Sequence, residues 1–226
     1  MHDDDLITRT EGFVRERMAG ADPAHDWWHV TRVRRLARQI AEVEPGPING
    51  LVVDLAALLH DVADWKLAGG DLDAAPRAAR AWLASQGAAP ALIEHVAEIV
   101  AGVSYRGSGL PTPMRTIEGA VVQDADRLDA LGAIGIARAF AYGGARGRPL
   151  YDPAIPPVGS HSAEAYARGA GPTLNHFYEK LLHLSGRMQT ETGRRLAAER
   201  HRMLEAFIER FLLEWAGRDV EEALRR

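Results

Sequence analysis

One nearly continuous apolar segment, LVVDLAALLHDVAD at positions 51–64, constrains the fold most. It lacks the polar face of a surface helix, and a helix that is apolar on most of its faces belongs at the centre of a helical protein. We find no alternating apolar and polar pattern long enough for a β-strand, and no internal repeat. The segment therefore predicts an all-α fold built around a buried helix at about 49–64.

Helical spacing of apolar residues and end signals predict further helices around this central one. The pair Asp22-Pro23 predicts the start of the second helix, with Asp22 as N-cap and Pro23 at the first helical position. A break is expected at Gly132 or Gly135. The predicted helices are at about 3–19, from Pro23 to before Pro45, 74–86, 90–103, 115–142, 172–184 and 188–216.

The segment 143–172 is rich in glycine and proline and is expected to be a loop. A loop of this length inside a compact domain is usually functional. We expect it to act as a lid or a specificity loop between the elements that flank it. The chain is then organised as one domain over 1–226, with a core at about 22–142, this loop, and C-terminal helices at about 172–226.

The chain contains no cysteine, which excludes disulfides, zinc fingers and thiolate catalysis. Any metal must then be held by histidine nitrogen and carboxylate oxygen. A net charge of −4 disfavours a nucleic-acid binder but allows a small anionic substrate. No secretory signal and no apolar run long enough for a membrane span are found. We expect a cytoplasmic protein without membrane or nucleic-acid partners, and a homodimer is left open.

Ionisable residues interrupt two apolar helices. His60 and Asp61 end the central apolar run, and burying such a pair costs several kcal/mol unless it is paired or bound to a metal. A lone histidine there would more often be a satisfied core residue, but the adjacent aspartate favours a metal site. Asp64 is three to four residues further on and shares a helix face with the pair.

The second acidic cluster lies in the predicted helix AVVQDADRLDALG. Asp124 is the first candidate ligand here, although a cap or a solvated position fits that residue about equally well. Asp126 and Asp129 are expected to lie behind the ligands or at the surface. His29, at the start of the second helix, is the remaining candidate ligand.

A metalloprotease site is an alternative for the segment HDWWH, in which His25 and His29 are four residues apart. The known motif HExxH needs a glutamate as general base, and aspartate is one methylene shorter. No third downstream ligand of the protease kind is evident. The spacing therefore gives this alternative little support.

The ordered set His29, His60-Asp61 and Asp124 resembles the H…HD…D pattern of the HD-domain metal-dependent phosphohydrolases. The segments AHDWWHVTRV, LLHDVADWK, VVQDADRLDALGAIGIARAF and HFYEKLL are similar to a bacterial subfamily that includes nucleoside triphosphate pyrophosphohydrolase-like proteins. The resemblance spans about residues 22–195. It implies an HD-type helical bundle with additional C-terminal helices.

The resemblance implies that His29, His60, Asp61 and Asp124 hold one divalent ion, with Mn or Mg favoured and Co, Ni, Fe or Zn allowed. Asp64 is our candidate for positioning or deprotonating the attacking water; an ion pair with Lys66 or an arginine is an almost equal alternative. Phosphoryl transfer also needs cations around the phosphate. The candidates are Lys180, Arg127 and Lys66 first, followed by His176, Arg32 and Arg138.

The sequence departs from the family in IEHVAEIVAGVSYRG, where many relatives carry further histidines. Here Glu98 and Val103 occupy those positions and His95 is displaced, so a single ion is expected rather than two. Glu98 could still assist the ligands or bind the ion weakly.

The favoured activity is hydrolysis of a (deoxy)nucleoside triphosphate to monophosphate and pyrophosphate. A phosphomonoesterase, a cyclic-nucleotide phosphodiesterase and a non-catalytic metal- or nucleotide-binding regulatory module stay open. The partner expected in every case is a small nucleotide or phosphate ester.

Overall fold

The computed structural model describes residues 2–20, 26–63, 71, 73–103, 112–158 and 171–220. Within these ranges the regular structure is entirely helical, which confirms the all-α prediction. In chain order the elements are α1 (Asp3–Arg17), α2 (Trp27–Val43), α3 (Gly50–Leu59), α4 (Ala74–Ser85), α5 (Pro90–Val103), α6 (Ile117–Asp129), α7 (Gly132–Ala145), a π-helical turn (Phe177–Leu181), α8 (Leu182–Leu184), a 3₁₀ turn (Ser185–Arg187) and α9 (Glu191–Trp215).

Helix α3 is the centre of the fold, as its apolar sequence predicts. All of its residues from Val52 to Leu59 are buried, and the helix packs against α1, α2, α5 and α6. Asp54 is the acidic residue within this buried run. Its carboxylate accepts hydrogen bonds from Arg34 Nε at 2.7 Å and Arg38 Nη2 at 2.9 Å, so the buried charge is paired.

Helix α3 ends at Leu59, five residues before the predicted end at about 64. His60 follows as the C-cap residue, and its ring Nδ1 donates to the carbonyl of Ala57 at 2.8 Å. That bond satisfies one of the carbonyl groups that every helix end leaves without an intrahelical donor. His60 and Asp61 therefore lie at the end of the helix, where the chain leaves the apolar core.

Helix α2 begins at Trp27 rather than near Pro23, so the predicted N-cap was wrong. The cap is Asp26, whose Oδ1 accepts from the backbone N–H of His29 at 2.9 Å. Asp22 and Pro23 lie outside the described residues. The predicted break at Gly132 is confirmed: this glycine has φ +67°, a conformation that side chains disfavour, and it separates α6 from α7.

The remaining helices pack around this core. Helix α9 packs against α6 and α7, and α4 packs against α5. The predicted loop at 143–172 begins three residues too early, because α7 continues through Ala145; its other described residues, 146–158 and 171–172, contain no helix. None of the helices in the described ranges combines the length and the apolar composition that a membrane span needs.

Candidate metal centre

Side chains from α2, the end of α3 and α6 gather at one place: His29, His60 and Asp126 each offer a ligand atom within 4.8 Å of the other two, and Asp61 lies beside the two histidines. The Nε2 atoms of His29 and His60 lie 3.2 Å apart. Asp61 Oδ2 is 3.4 Å from the first of these nitrogens and 3.6 Å from the second. Asp126 Oδ1 lies 3.4 and 3.8 Å from them. These spacings equal or slightly exceed the about 3.0–3.4 Å that separates neighbouring ligands when each lies about 2.1 Å from a metal.

When both imidazoles are neutral, as metal ligands must be, they present unprotonated nitrogens to each other. His60 Nδ1 donates to a backbone carbonyl, and His29 Nδ1 donates to Asp129 Oδ2 at 2.8 Å. A neutral imidazole carries one proton, so both Nε2 atoms are left with lone pairs. Two lone pairs at 3.2 Å repel each other unless a proton or a metal ion lies between them. The donor set of two nitrogens and two carboxylate oxygens therefore fits a divalent metal ion.

The local electrostatics favour a positive charge at this point. Burial and the positive charge of Arg138 oppose protonation of the His29 imidazole. Its hydrogen bonds with Asp126, Asp129 and Asp61 outweigh both and raise the pKa of this imidazole to about 10. Burial likewise opposes ionisation of Asp126, but its contacts with the two histidines lower the pKa of its carboxyl to about 2.

Asp129 lies behind His29 rather than among the converging donors. Its carboxylate accepts from Arg32 Nε at 2.7 Å, Arg32 Nη2 at 3.0 Å and Arg138 Nη1 at 3.0 Å, in addition to His29. Burial raises the pKa of this carboxyl, but the bonds from His29 and Arg32 hold it well below its usual range. The two arginines, predicted as phosphate ligands, thus contact Asp129 in the structure.

Asp124 does not join the donor cluster, so the structure corrects the prediction that it is the fourth ligand. Its carboxylate accepts from the backbone N–H groups of Gln189 and Thr190, at 3.0 and 2.7 Å, and from the Thr190 hydroxyl at 2.8 Å. Thr190 is the N-cap of α9. Asp124 therefore anchors the start of α9, and Asp126 takes its place beside the histidines.

Arg127 lies on the same side of α6 as Asp124 and does not face the cluster. Its guanidinium donates to the carbonyl of Arg187, and its Nη2 donates to Thr112 Oγ1 at 2.8 Å. The side chain is buried and fastens α6 to two neighbouring segments. The structure thus places this predicted phosphate ligand in a structural contact.

The other predicted site residues divide into two groups. Asp64, Lys66 and the His25 of the protease alternative lie outside the described residues. His176 and Lys180 are described and half-buried. His176 directly precedes the π-helical turn, and Lys180 lies within it. Glu98 and Val103 mark the expected departure from the family pattern: Glu98 pairs with Arg115 at 3.1 Å, and Val103 is buried in the apolar core.

Sequence reasoning missed Asp126, and helical spacing could have found it. At 3.6 residues per turn, Asp126 and Asp129 are roughly 60° apart around the helix, whereas Asp124 is roughly 160° from Asp126. Once Asp129 faces His29, only Asp126 can reach the same side. The H…HD…D pattern does not distinguish the two aspartates, because Asp124 and Asp126 are separated by a single residue and both follow the HD pair.

Comparison with known proteins agrees with this geometry. Residues 27–131 match the HD domain family. The chain is 37% identical to the uncharacterized protein YpgQ of Bacillus subtilis over 210 residues, which cover 92% of this chain and 93% of that protein.

Solved structures resemble the fold as well. A Lactobacillus plantarum protein is 36% identical, with a TM-score of 0.83 over 96% of this chain and 100% of its own. An HD-superfamily hydrolase of Bacillus thuringiensis is 41% identical, with a TM-score of 0.71 over 95% and 99%. YpgQ in complex with ADP is 31% identical, with a TM-score of 0.64 over 94% and 97%. With such similarity along nearly the whole chain, and with histidines and aspartates gathered in the matched region, this protein belongs to the HD domain family.

Proposed function

We propose that this protein is a metal-dependent hydrolase that cleaves (deoxy)nucleoside triphosphates to monophosphate and pyrophosphate. The observation that carries the proposal is the grouping of His29, His60 and Asp126, with the Asp61 carboxylate 3.4 Å from His29 Nε2. Domains of this family bind divalent metals, and a histidine–histidine–aspartate group is present here. We assign these four residues as the ligands of one ion, with Mn or Mg preferred.

The ion, when bound, supplies a water molecule that is acidic enough to act as hydroxide near neutral pH, and it polarises the phosphoryl oxygen. The protein's own residues orient this chemistry. The bond from His60 Nδ1 to the Ala57 carbonyl and the bond from His29 Nδ1 to Asp129 hold both rings with Nε2 facing the cluster. Asp61 and Asp126 are 18% and 26% exposed at their side chains, so the cluster is open to a substrate on their side.

One observation supports a nucleotide as the substrate. YpgQ, which resembles this chain along nearly its whole length, has been crystallised with ADP. His176 and Lys180 lie at a π-helical turn, a feature that is frequent at functional sites. We propose that these two residues bind phosphate, together with Lys66, and that Asp64 positions or deprotonates the water.

The test is an activity screen on protein stripped of metal with a chelator and then reloaded with Mn, Mg, Co, Ni or Zn. The substrates are the eight common ribo- and deoxyribonucleoside triphosphates, nucleoside diphosphates, cyclic nucleotides and a simple phosphomonoester. Mn-dependent release of pyrophosphate is the expected result, and His60→Ala should abolish it. A protein that binds Mn but hydrolyses none of these compounds would instead be a regulatory module.

Reaction in ¹⁸O-water locates the bond that is cleaved. Water attack at the α-phosphorus places the label in the nucleoside monophosphate, whereas attack at the β-phosphorus places it in pyrophosphate. We expect the label in the monophosphate. Release of labelled inorganic phosphate with a diphosphate product would instead identify a phosphatase acting on the terminal phosphoryl group.

A further inference from the structure

The carboxylate of Asp129 links one predicted metal ligand to two arginines. We propose that Asp129 is the positioning residue that holds His29 with Nε2 toward the metal, and that Arg32 and Arg138 hold Asp129 in place. The inference rests on the proposed metal site, but it does not depend on which substrate is hydrolysed. It assigns the arginines a role in the metal site rather than in phosphate binding.

The first step is the contact between Asp129 and His29. Asp129 Oδ2 lies 2.8 Å from His29 Nδ1, on the side of the ring opposite the donor cluster. An imidazole can carry its proton on either nitrogen, and only the ring protonated at Nδ1 has a lone pair at Nε2. A carboxylate can only accept, so Asp129 selects the ring form that binds a metal. Such carboxylate–histidine pairs raise the basicity of the ligand and fix its orientation.

The second step is the support that Asp129 itself receives. Its side chain is only 5% exposed, so solvent does little to compensate its charge. Arg32 binds both carboxylate oxygens through Nε and Nη2, and Arg138 adds a bond from Nη1. A two-pronged guanidinium contact restricts the rotation of a carboxylate more than a single bond does. The carboxylate therefore faces His29 in one orientation.

The third step is the placement of the two arginines in the chain. Arg32 is three residues after His29 on α2, so the helix presents both side chains to α6 on one face. Arg138 comes from α7, which the break at Gly132 separates from α6. Three helices thus meet at Asp129, and the orientation of His29 depends on how they pack.

The main test is Asp129→Asn, measured by Mn²⁺ titration calorimetry on metal-free protein. Loss of such a supporting carboxylate typically weakens metal binding 10–100-fold, and we expect a loss in that range. The matched control is Asp124→Asn, which alters a buried carboxylate on the same helix but faces α9. This control should bind Mn²⁺ as tightly as the parent. Equal affinity of Asp129→Asn and the parent would overturn the proposal.

A second readout does not depend on whether Asp129→Asn folds. In the Mg²⁺-loaded parent with ¹⁵N-labelled histidine, we expect a proton on His29 Nδ1 that is shifted strongly downfield by its carboxylate partner. His29→Gln identifies the signal among the nine histidines of the chain. A His29 ring that is protonated at Nε2, or whose Nδ1 proton lacks the downfield shift, would contradict the proposed role of Asp129.

A double-mutant cycle tests the arginines. Arg32→Met should weaken Mn²⁺ binding severalfold in the parent and have little further effect in Asp129→Asn, because both changes remove the same support. Equal losses in both backgrounds would show that Arg32 acts independently of Asp129. If Mn²⁺ binding follows these expectations while no nucleotide is hydrolysed, the proposed activity fails and the role of Asp129 stands.

Discussion

Asp124 and Asp126 are two positions apart on α6, yet their carboxylates serve opposite sides of the helix. Asp126 Oδ1 lies 3.4 Å from His29 Nε2. Asp124 Oδ2 accepts from the backbone N–H and the hydroxyl of Thr190, at 2.7 and 2.8 Å. One short acidic segment therefore contributes to the candidate metal centre and also anchors the C-terminal helix.

This arrangement predicts opposite phenotypes for the two aspartates. Asp126→Ala removes a proposed ligand, so we expect Mn²⁺ affinity to fall by more than about 100-fold, beyond the loss typical of a supporting residue. Asp124→Ala removes the acceptor of the buried Thr190 N–H and of the partly buried Gln189 N–H, and we expect it to lower the free energy of unfolding by about 2–3 kcal/mol. Calorimetric titration and urea unfolding measure the two effects. If Asp124→Ala loses Mn²⁺ binding while Asp126→Ala keeps it, the ligand assignment is wrong.

A second prediction concerns Gly193, in the first turn of α9. A Cβ atom at this position would lie 2.4 Å from Asp124 Oδ2 and 2.7 Å from Thr190 Oγ1. Gly193→Ala should therefore lower the free energy of unfolding by about 1–3 kcal/mol, as overpacking usually does. In this chain that corresponds to a drop in Tm of about 2–4 °C per kcal/mol.

The control for Gly193→Ala is Gly12→Ala. Gly12 is an exposed residue within α1, and a Cβ atom there would meet nothing within 4 Å. Alanine at such a position should stabilise the helix by about 0.5–1 kcal/mol. Thermal unfolding of both variants would thus give shifts of opposite sign. If Gly193→Ala leaves the Tm unchanged, the contact between α6 and α9 is looser than the distances at Gly193 indicate.

Metal binding should also stabilise the fold. A ligand that binds only the native state adds about 4 kcal/mol when its free concentration is a thousand times Kd. We expect Mn²⁺ to raise the Tm of the parent and a chelator to reverse the rise. His60→Ala should remove this dependence, whereas His201→Ala on α9, which contacts Ser185 and Glu205, should retain it. A Tm of His60→Ala that still rises with Mn²⁺ would place the ion elsewhere.

The contact of Glu44 with α9 predicts a pH dependence of stability. Glu44 Oε1 accepts from the backbone N–H of Thr192 at 2.7 Å. Burial raises the pKa of this carboxyl, but the hydrogen bonds from Thr192 outweigh it and lower the pKa below its ordinary value of 4.5. Because the folded pKa is the lower one, the contact stabilises the fold above the unfolded pKa and is lost as the pH falls through the folded value.

Glu44→Gln should therefore lower the free energy of unfolding by about 0.5–1 kcal/mol at pH 7, the size of a charge contact at a helix N-terminus. The difference from the parent should shrink as the pH falls below 4.5. Urea unfolding at neutral and acid pH measures it, with Glu42→Gln as a control for a charge change at the same helix end. A difference that grows in acid would contradict the assignment.

Much of the fold follows from local sequence patterns. The apolar run from Val52 to Leu59 is buried at the centre as its composition predicts, and Gly132 breaks the helix as expected. The predicted positions of the helix ends were less accurate than the predicted helices themselves. The second helix begins at Trp27 because Asp26 caps it, and the central helix ends at Leu59, where the ring of His60 binds the Ala57 carbonyl. These ends depend on individual side-chain contacts that periodicity does not encode.

Residue order alone predicts an all-α protein whose apolar central helix carries a histidine–aspartate pair, with no cysteine among the available metal ligands. Which acidic residue of α6 lies beside the histidines depends on how the helices pack. Residue spacing relates side chains on one helix, but the direction in which α6 faces is set by its packing against α2 and α9. That packing turns Asp126 toward the histidines, Asp124 toward Thr190, and Arg32 and Arg138 toward Asp129.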